Sequence, residues 1–396
     1  MVLRANMLAT ANVVVAIVCR LEAGAPSRYV SLDMLDIEEV LMRYLRLLAP
    51  LALLAYILAV APPRLQAVGR PAHPLAAVAH DPPVLTLASI FAAHPPSLAG
   101  YDQRNVRTLI ATGDVIPARS VNYKMRIYND FLYPFRRTAD FLRTGDITLI
   151  NLESPLVDGC ATTTEGMSFC GDPRFTQGLR YAGVDVACTA NNHAGNYGDA
   201  GIQETWAHLR AAGIGYCGWG AVDHKTVRGL RFAFLAYNTV GQRFDYAAAR
   251  AEIRAARKTA DIVVVSVHWG KEYVALPTTA PGIADDDPRQ VAHAIIDDGA
   301  DLIIGNHPHH VQAVELYHGR LITYAHGNFI FDQMWSVETR QGVVGVYTFY
   351  GRRLVAVRYK PVIIEDYAQP HWATPAEGLS IMQGMRDATM QLARQQ

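Results

Sequence analysis

The sequence predicts an α/β domain in which a mixed sheet, or two packed sheets, is covered by helices. Three observations lead there. Short β-branched apolar runs recur between about residues 106 and 367, amphipathic helical patterns fall between many of them, and the stretch closes in hairpin-like pairs. Of the 396 residues, 51% are apolar and 18% charged, which suits a large buried core and not a disordered chain.

Taken in order, residues 1–46 read as a cytoplasmic or leader segment, with a weak apolar stretch from Met7 to Cys19 broken by Thr10 and Asn12. Residues 47–63 follow as a membrane anchor or signal segment. Leu47 to Ala61 carries no charge and is preceded by Arg43 and Arg46, the flank that leaves the N-terminus inside and the rest of the chain outside. The run is shorter than the ~20 residues of a spanning helix. Ala59-Val60-Ala61 resembles a cleavage site, but Pro62 follows it, so an uncleaved single-pass anchor and a cleaved leader both stand, as does a buried core helix. Met34 and Met42 leave room for a later start. Residues 64–105, rich in Pro, Ala and His, suit a semi-extended tether.

Within residues 106–367 strands are expected at Thr108–Ala111, Ile147–Ile150, Val184–Cys188, Phe232–Ala236, Ile262–Val267 and Leu302–Ile304. A helix from Asp199 to Gly213 places Ile202, Trp206 and Leu209 on one face; a second starts at the Asp287-Pro288 cap and ends at Gly299. Hairpins follow, Val314–Tyr317 with Leu321–Tyr324 and Val343–Tyr350 with Val355–Tyr359. Residues 368–396 are expected to hold a C-terminal helix from about Thr374.

Lys+Arg and Asp+Glu balance at 36 each with no basic run, so nothing in the charge asks for nucleic acid as a partner. Five cysteines without a CxxC pair exclude a disulfide scaffold and argue against a thiolate zinc site. Cys160 and Cys170 flank a polar loop, and read either as a small disulfide ring in an oxidising compartment or as two unrelated thiols. Cys188, in an apolar run, reads as core.

Strand after strand ends in metal-capable side chains: Gly113-Asp114, Asn151-Leu152-Glu153, Asn191-Asn192-His193, His268-Trp269-Gly270, and Asn306-His307-Pro308-His309-His310. Ligands gather beyond the carboxyl ends of strands in α/β sheets, and a shared metal site needs several strands to deliver such groups to one end. Each alone has a plainer reading. Asp114 and the two asparagines suit turns, Glu153 a cap or surface pair, and His268 a satisfied core histidine. Two imidazoles bracketing a proline, His307 and His309, are harder to explain as packing.

These stretches resemble the CapA family of poly-γ-glutamate capsule synthesis proteins, within the calcineurin-like metallophosphoesterase superfamily. The likeness is carried by Gly113-Asp114, Asn151-Leu-Glu-Ser-Pro-Leu156, Ala190-Asn-Asn-His193, His268-Trp-Gly-Lys-Glu-Tyr273, Gly305-Asn-His-Pro-His309 and Gly327-Asn-Phe-Ile-Phe-Asp-Gln333, in the family's order between about Val106 and Pro361. It implies a sandwich of two mixed sheets flanked by helices, with one or two divalent ions at one edge. Asp114, Glu153, Asn192, His268, His307 and His309 would then be ligands, His193 the proton donor or transition-state stabiliser, and Asn191 and Asn328 their supports. The mixed donor set suits Mn, Zn or Fe better than Ca.

The pattern also departs from the superfamily. Asp114 is followed by Val115 and Ile116 where Asp-x-His is usual, and Asn151-Leu152-Glu153 stands in place of Gly-Asp-x-x-Asp. One metal position loses a ligand, which makes a mononuclear centre or a weak second ion realistic. His326, where the family more often has Ser-Leu, either touches the site or fills space. The resemblance implies a membrane-anchored, extracytoplasmic protein of envelope-polymer synthesis, with polymer or phosphoester as substrate and membrane synthesis subunits as partners. A metal-dependent phosphoesterase without a capsule role and a non-catalytic polymer-binding subunit are the competing readings.

Overall fold

A computed structural model describes residues 81–395. The leader and anchor expected within residues 1–63 lie outside the described residues. No helix among the described residues is long and apolar enough to cross a membrane.

The strands run β1 (Val106–Val115), β2 (Ile147–Leu152), β3 (Val186–Cys188), β4 (Gly215–Cys217), β5 (Asp223–Val227), β6 (Leu230–Asn238) and β7 (Ile262–His268). They continue with β8 (Leu302–Asn306), β9 (Val314–Tyr317), β10 (Arg320–Thr323), β11 (Asn328–Ile330), β12 (Gln341–Tyr350), β13 (Arg353–Glu365) and β14 (Gln369–Trp372). The main helices are α1 (Ser120–Ile127), α2 (Phe175–Tyr181), α3 (Gly198–Ala211), α4 (Tyr246–Thr259), α5 (Pro288–Asp297) and α6 (Pro375–Ala393).

Two mixed sheets result. The first has the order β14-β13-β12-β1-β2-β3-β4, with β11 lying parallel to the end of β1; β1 to β4 are parallel and β12 to β14 form an antiparallel meander. The second has the order β5-β6-β7-β8-β10-β9, parallel from β6 to β10 with antiparallel edges at β5 and β9.

Strand periodicity sorts the core into layers. Leu109, Leu149 and Val186 of the first sheet meet Phe232, Val264 and Leu302 of the second in the core between the sheets. Their neighbours along the strands point outward. Ile110, Ile150 and Ala187 pack on Val121 and Met125 of α1, Phe175 and Leu179 of α2, and Leu209 of α3. Ala233, Val263, Val265 and Ile303 pack on Ile253 of α4 and on Val291 and Ile295 of α5. Covered on both faces, β7 is buried at every position, which is why it reads as a continuous apolar run. Asp245 caps α4, Asp287 with Pro288 starts α5, and Thr374 forms a capping box with Glu377 at α6.

Some elements differ from expectation. β4 and β11 are three residues long, too short to show a period, and β5 is a polar edge strand, Asp-His-Lys-Thr-Val. The stretch expected to hold only a C-terminal helix begins with β14, paired to β13. α3 buries Gly201, Thr205 and Leu209, while Trp206 turns aside to stack on Tyr216 and donate to Thr189 Oγ1. The last part of the Pro/Ala-rich stretch packs against the domain. Thr86 caps a helical turn at Leu87–Ile90, and Leu85 and Ile90 are buried in the core between the sheets. Cys160 and Cys170 are joined as a disulfide, and Cys188 is a buried free thiol facing Cys217.

Candidate metal centre

The parallel strands of both sheets carry their polar residues at their carboxyl ends. The first sheet supplies Asp114 from β1, Asn151 from β2, and Glu153 and Asn191 to His193 from the loops after β2 and β3. The second supplies His268, the last residue of β7, and His307 and His309 just beyond β8. Contacts across the sheets join the two groups. His309 Nδ1 lies 3.2 Å from Asp114 Oδ2, and His268 Nε2 lies 3.4 Å from Glu153 Oε1 and 2.9 Å from Asn192 Oδ1. The His307 ring centroid is 4.7 Å from that of His268 and 5.9 Å from that of His309. One potential ligand atom each from Glu153, His307 and His309, and likewise from Asp114, Glu153 and His268, fall within 4.8 Å of one another. The structure therefore brings together all the residues expected as ligands.

Local features hold them there. Asn151 Nδ2 donates to Asp114 Oδ1 at 2.8 Å, and Asn191 Nδ2 donates to Asn151 Oδ1 and to the Leu152 carbonyl. Asn328 sits behind His309, its Oδ1 2.9 Å from Nδ1, and its Nδ2 donates to the Thr339 carbonyl. β11 reaches β1 closely enough to pair Asn328 with Asp114 only because position 113 is glycine; a Cβ there would stand 2.0 Å from the Gly327 carbonyl oxygen. His307 and His309 have φ of 97° and 51°, a left-handed backbone that costs roughly 1–3 kcal/mol per residue and persists where surrounding structure demands it. His326 does not join the cluster. It is fully buried between the Thr112 carbonyl and the Tyr347 hydroxyl, where it fills space.

The electrostatics are those of a buried cluster of carboxylates and imidazoles. Asp114, Glu153, His268, His307 and His309 are all buried. Burial pushes the Glu153 carboxyl well above its ordinary range, and the charge of Asp114 adds to this. Burial also works against the Asp114 carboxylate, but its hydrogen bond to His309 and the charges of His309 and His268 outweigh it and hold the group low. Burial opposes the charge on His309 as well, yet the Glu153 and Asp114 carboxylates push it up to about 9. His268 is driven down to about 3 by burial, and His307 falls well below its usual value for the same reason. Glu153 Oε1, His268 Nδ1 and both ring nitrogens of His307 are buried without a hydrogen-bond partner. Each such atom costs about 1–3 kcal/mol if left unsatisfied, so this donor set fits a bound divalent ion.

His193 stands beside the cluster, near enough for charge on His268 and His309 to disfavour its own; burial is the larger cause, and together they take it down to about 4. Its Nδ1 is 3.0 Å from Asn196 Oδ1, and its ring stacks on Phe169 at 3.9 Å between centroids. Asn196 and Phe169 escaped the sequence reading as site residues, and Asn151 was named in a strand-end cluster without a role. Asn151 carries the same strand-end signal as Glu153, whereas nothing local marks Phe169 or Asn196. A second group, Asp158, Glu204 and His208, also has ligand spacing, but it is partly to fully exposed.

A model of the bacterial capsule synthesis protein family PGA_cap matches residues 108–333, a span that includes every residue of the centre from Asp114 to Asn328. The chain belongs to that family. Among PGA_cap relatives, the PGA biosynthesis protein CapA of Bacillus subtilis is 30% identical over 328 residues, covering 74% of this chain and 80% of its own length. The capsule biosynthesis protein CapA of Bacillus anthracis is 27% identical over 285 residues, covering 64% and 67%. Among solved structures, a hypothetical protein from Thermus thermophilus is similar at 17% identity and a TM-score of 0.42, covering 64% of this PGA_cap chain and 98% of that one.

Proposed function

We propose that this protein is a membrane-anchored, extracytoplasmic subunit for synthesis or processing of poly-γ-glutamate or a similar envelope polymer, with a metal-dependent hydrolytic centre of metallophosphoesterase type. The observation that carries the chemistry is the set of orphaned, buried donors at the joined strand ends, Glu153 Oε1, His268 Nδ1 and the His307 nitrogens. The capsule role rests on family membership and on the names of the Bacillus relatives.

Asp114, Glu153, Asn192, His268, His307 and His309 would hold one or two ions of the Mn, Zn or Fe class. Such an ion supplies Lewis-acid activation and neutralises charge developing on the substrate. The chain does the rest. Asn151 fixes the rotamer of Asp114, Asn328 orients His309, and the buried walls limit access of bulk water. His193 would serve as proton donor to the leaving group or as stabiliser of the transition state; its ring rests neutral, so it takes up a proton before it can donate one. A non-catalytic polymer-binding subunit has no use for unpartnered histidine nitrogens in its core.

Elemental analysis of the purified protein, followed by a screen of phosphodiester and γ-glutamyl substrates with His193→Ala as control, tests this. Bound metal and turnover lost in His193→Ala are expected. Absence of metal, or a variant indistinguishable from wild type, overturns the catalytic reading. Turnover of phosphoesters alone, in a protein whose loss leaves the capsule intact, favours a phosphoesterase outside capsule synthesis. A reporter fused after Gln396 is expected outside the cytoplasm; a cytoplasmic signal overturns the anchor.

A further inference from the structure

We propose that the disulfide-closed loop of residues 160–170 is a clamp that positions His193 through Phe169 and Asn196. The inference rests on the reading of His193 as the proton-transfer group of the metal centre.

Asn196 Oδ1 accepts the backbone N–H of Phe169 at 2.6 Å, which identifies that atom as the amide oxygen. The same oxygen lies 3.0 Å from His193 Nδ1, and an oxygen with no hydrogen of its own can only accept. Nδ1 must therefore carry a proton and donate it. In the neutral ring this leaves Nε2 bare, so Nε2 is the atom at which His193 takes up and releases its proton. One amide oxygen thus sets both the tautomer of His193 and the place of Phe169.

Phe169 sets the plane of the ring. Its own ring stacks on the imidazole at 3.9 Å with 16° between planes. Phe169 is held in turn by a small buried group, Ile116, Ala118 and Phe331, with the Arg119 guanidinium 4.8 Å from its ring centroid and paired to Asp332. Phe331 touches the centre from the other side, 5.3 Å from the His309 ring.

The loop that delivers Phe169 has no core of its own. Residues 161–168 are all exposed, Met167 among them, whereas Phe169 and Cys170 are buried. The exposed segment is tied down by the covalent closure at Cys160 and Cys170, which pack with Val157, and by one hydrogen bond from Arg119 Nη1 to the Gly166 carbonyl at 3.4 Å. Tyr197, next to Asn196, donates its hydroxyl to Cys170 Sγ at 3.3 Å. The disulfide and the His193 support are therefore joined at both ends, through Phe169 on one side and through Asn196-Tyr197 on the other. Opening the disulfide frees a loop that ends at the residue stacked on His193.

The test uses the full protein with metal added and two readouts. The first is the rate at which diethylpyrocarbonate modifies His193, followed by peptide mass analysis; it does not depend on turnover. The second is kcat and KM for a phosphodiester probe. Asn196→Ala, Phe169→Leu, and wild-type protein reduced with a phosphine are each expected to raise the His193 modification rate severalfold. They are also expected to lower kcat about 10–100-fold, the range for removing a group that orients a catalytic side chain, with KM nearly unchanged. Asn196→Asp, which still accepts from both N–H groups, and Phe169→Tyr, which still stacks, are expected to restore both readouts. The reduced wild type covers the case in which a variant does not fold. Equal His193 modification in oxidised and reduced protein and in Asn196→Ala overturns the clamp. If oxidised wild type turns over no substrate, the hydrolytic reading fails, and the modification rates still decide whether the loop positions His193.

Discussion

Glu153 has the most to gain from a cation. It is fully buried, Oε1 has no hydrogen-bond partner, and burial together with Asp114 drives its carboxyl well above the usual range. Without metal the group either stays protonated or carries a buried charge faced by the protonated His309 imidazole at 3.9 Å. Glu153→Gln removes that choice while keeping the shape. The expected outcome has two parts: metal-free Glu153→Gln unfolds at the same or a higher temperature than metal-free wild type, but loses most of the rise produced by added Mn. For wild type that rise corresponds to about 2.7 kcal/mol at a cation concentration one hundred times Kd. Thermal unfolding with and without Mn, with metal content measured alongside, checks it; a variant that keeps the full rise removes Glu153 from the ligand set. Asp114, Glu153 and the histidines were legible in the sequence because each closes an apolar run. Phe169 and Asn196 were not, because their part depends on a loop folding back from another element, and no local pattern encodes that contact.

At the scale of the elements, the two ends of β2, β3, β7 and β8 do different work. The carboxyl ends carry the metal-capable groups, while the amino ends carry aspartates that tie neighbours together. Asp146 accepts the Thr108 N–H, Asp185 that of Thr148, Asp261 that of Arg231, and Asp301 that of Val263. The pattern was present in the sequence as an aspartate immediately before β2, β3, β7 and β8, but it shows its meaning only once strand neighbours are known. Asp261 also receives the Arg231 and Arg352 guanidinium groups, and its hydrogen bonds to Arg231 hold its carboxyl far below the ordinary range. A carboxyl depressed in the folded state contributes stability above its unfolded pKa of about 4, and loses it as pH falls toward the folded value. Asp261→Asn is therefore expected to lower stability at pH 7 and to flatten the loss of stability below about pH 4, read from urea midpoints across pH. An unchanged acid limb removes Asp261 from that role. Gly305 tests the other end of a strand. A Cβ there would stand 1.9 Å from the Tyr324 carbonyl oxygen and 2.6 Å from Trp269 Nε1, which itself donates to that oxygen. Gly305→Ala is expected to cost about 1–3 kcal/mol or more in denaturant unfolding and to weaken metal binding, since β8 leads directly into His307.

For the whole molecule, the sequence showed that five strand ends carry like chemistry, but periodicity left one mixed sheet and two packed sheets equally open. Only the family resemblance favoured two. Strand order is a long-range property: β1 pairs with β12 and β11, which lie far along the chain beyond the whole second sheet, and no local pattern records that. The two-sheet arrangement has an energetic consequence. Asp114 and Glu153 come from the first sheet and His268, His307 and His309 from the second, so an ion held by both sets ties the sheets together and its binding energy becomes folding energy. Ligands that act as a unit are not additive, because the first loss already forfeits the shared ion. Asp114→Asn and His268→Ala, one from each sheet, are each expected to abolish most of the Mn-induced rise in unfolding temperature, and the double variant to lose hardly more than either alone. In metal-free protein any departure from additivity for the same two changes reports only their direct electrostatic interaction, since no ion links them. The comparison of the two double-mutant cycles isolates the coupling through the cation from any direct contact between the residues. Additive losses in the presence of Mn would mean that the two sheets bind metal independently, and that the strand ends do not form a single centre.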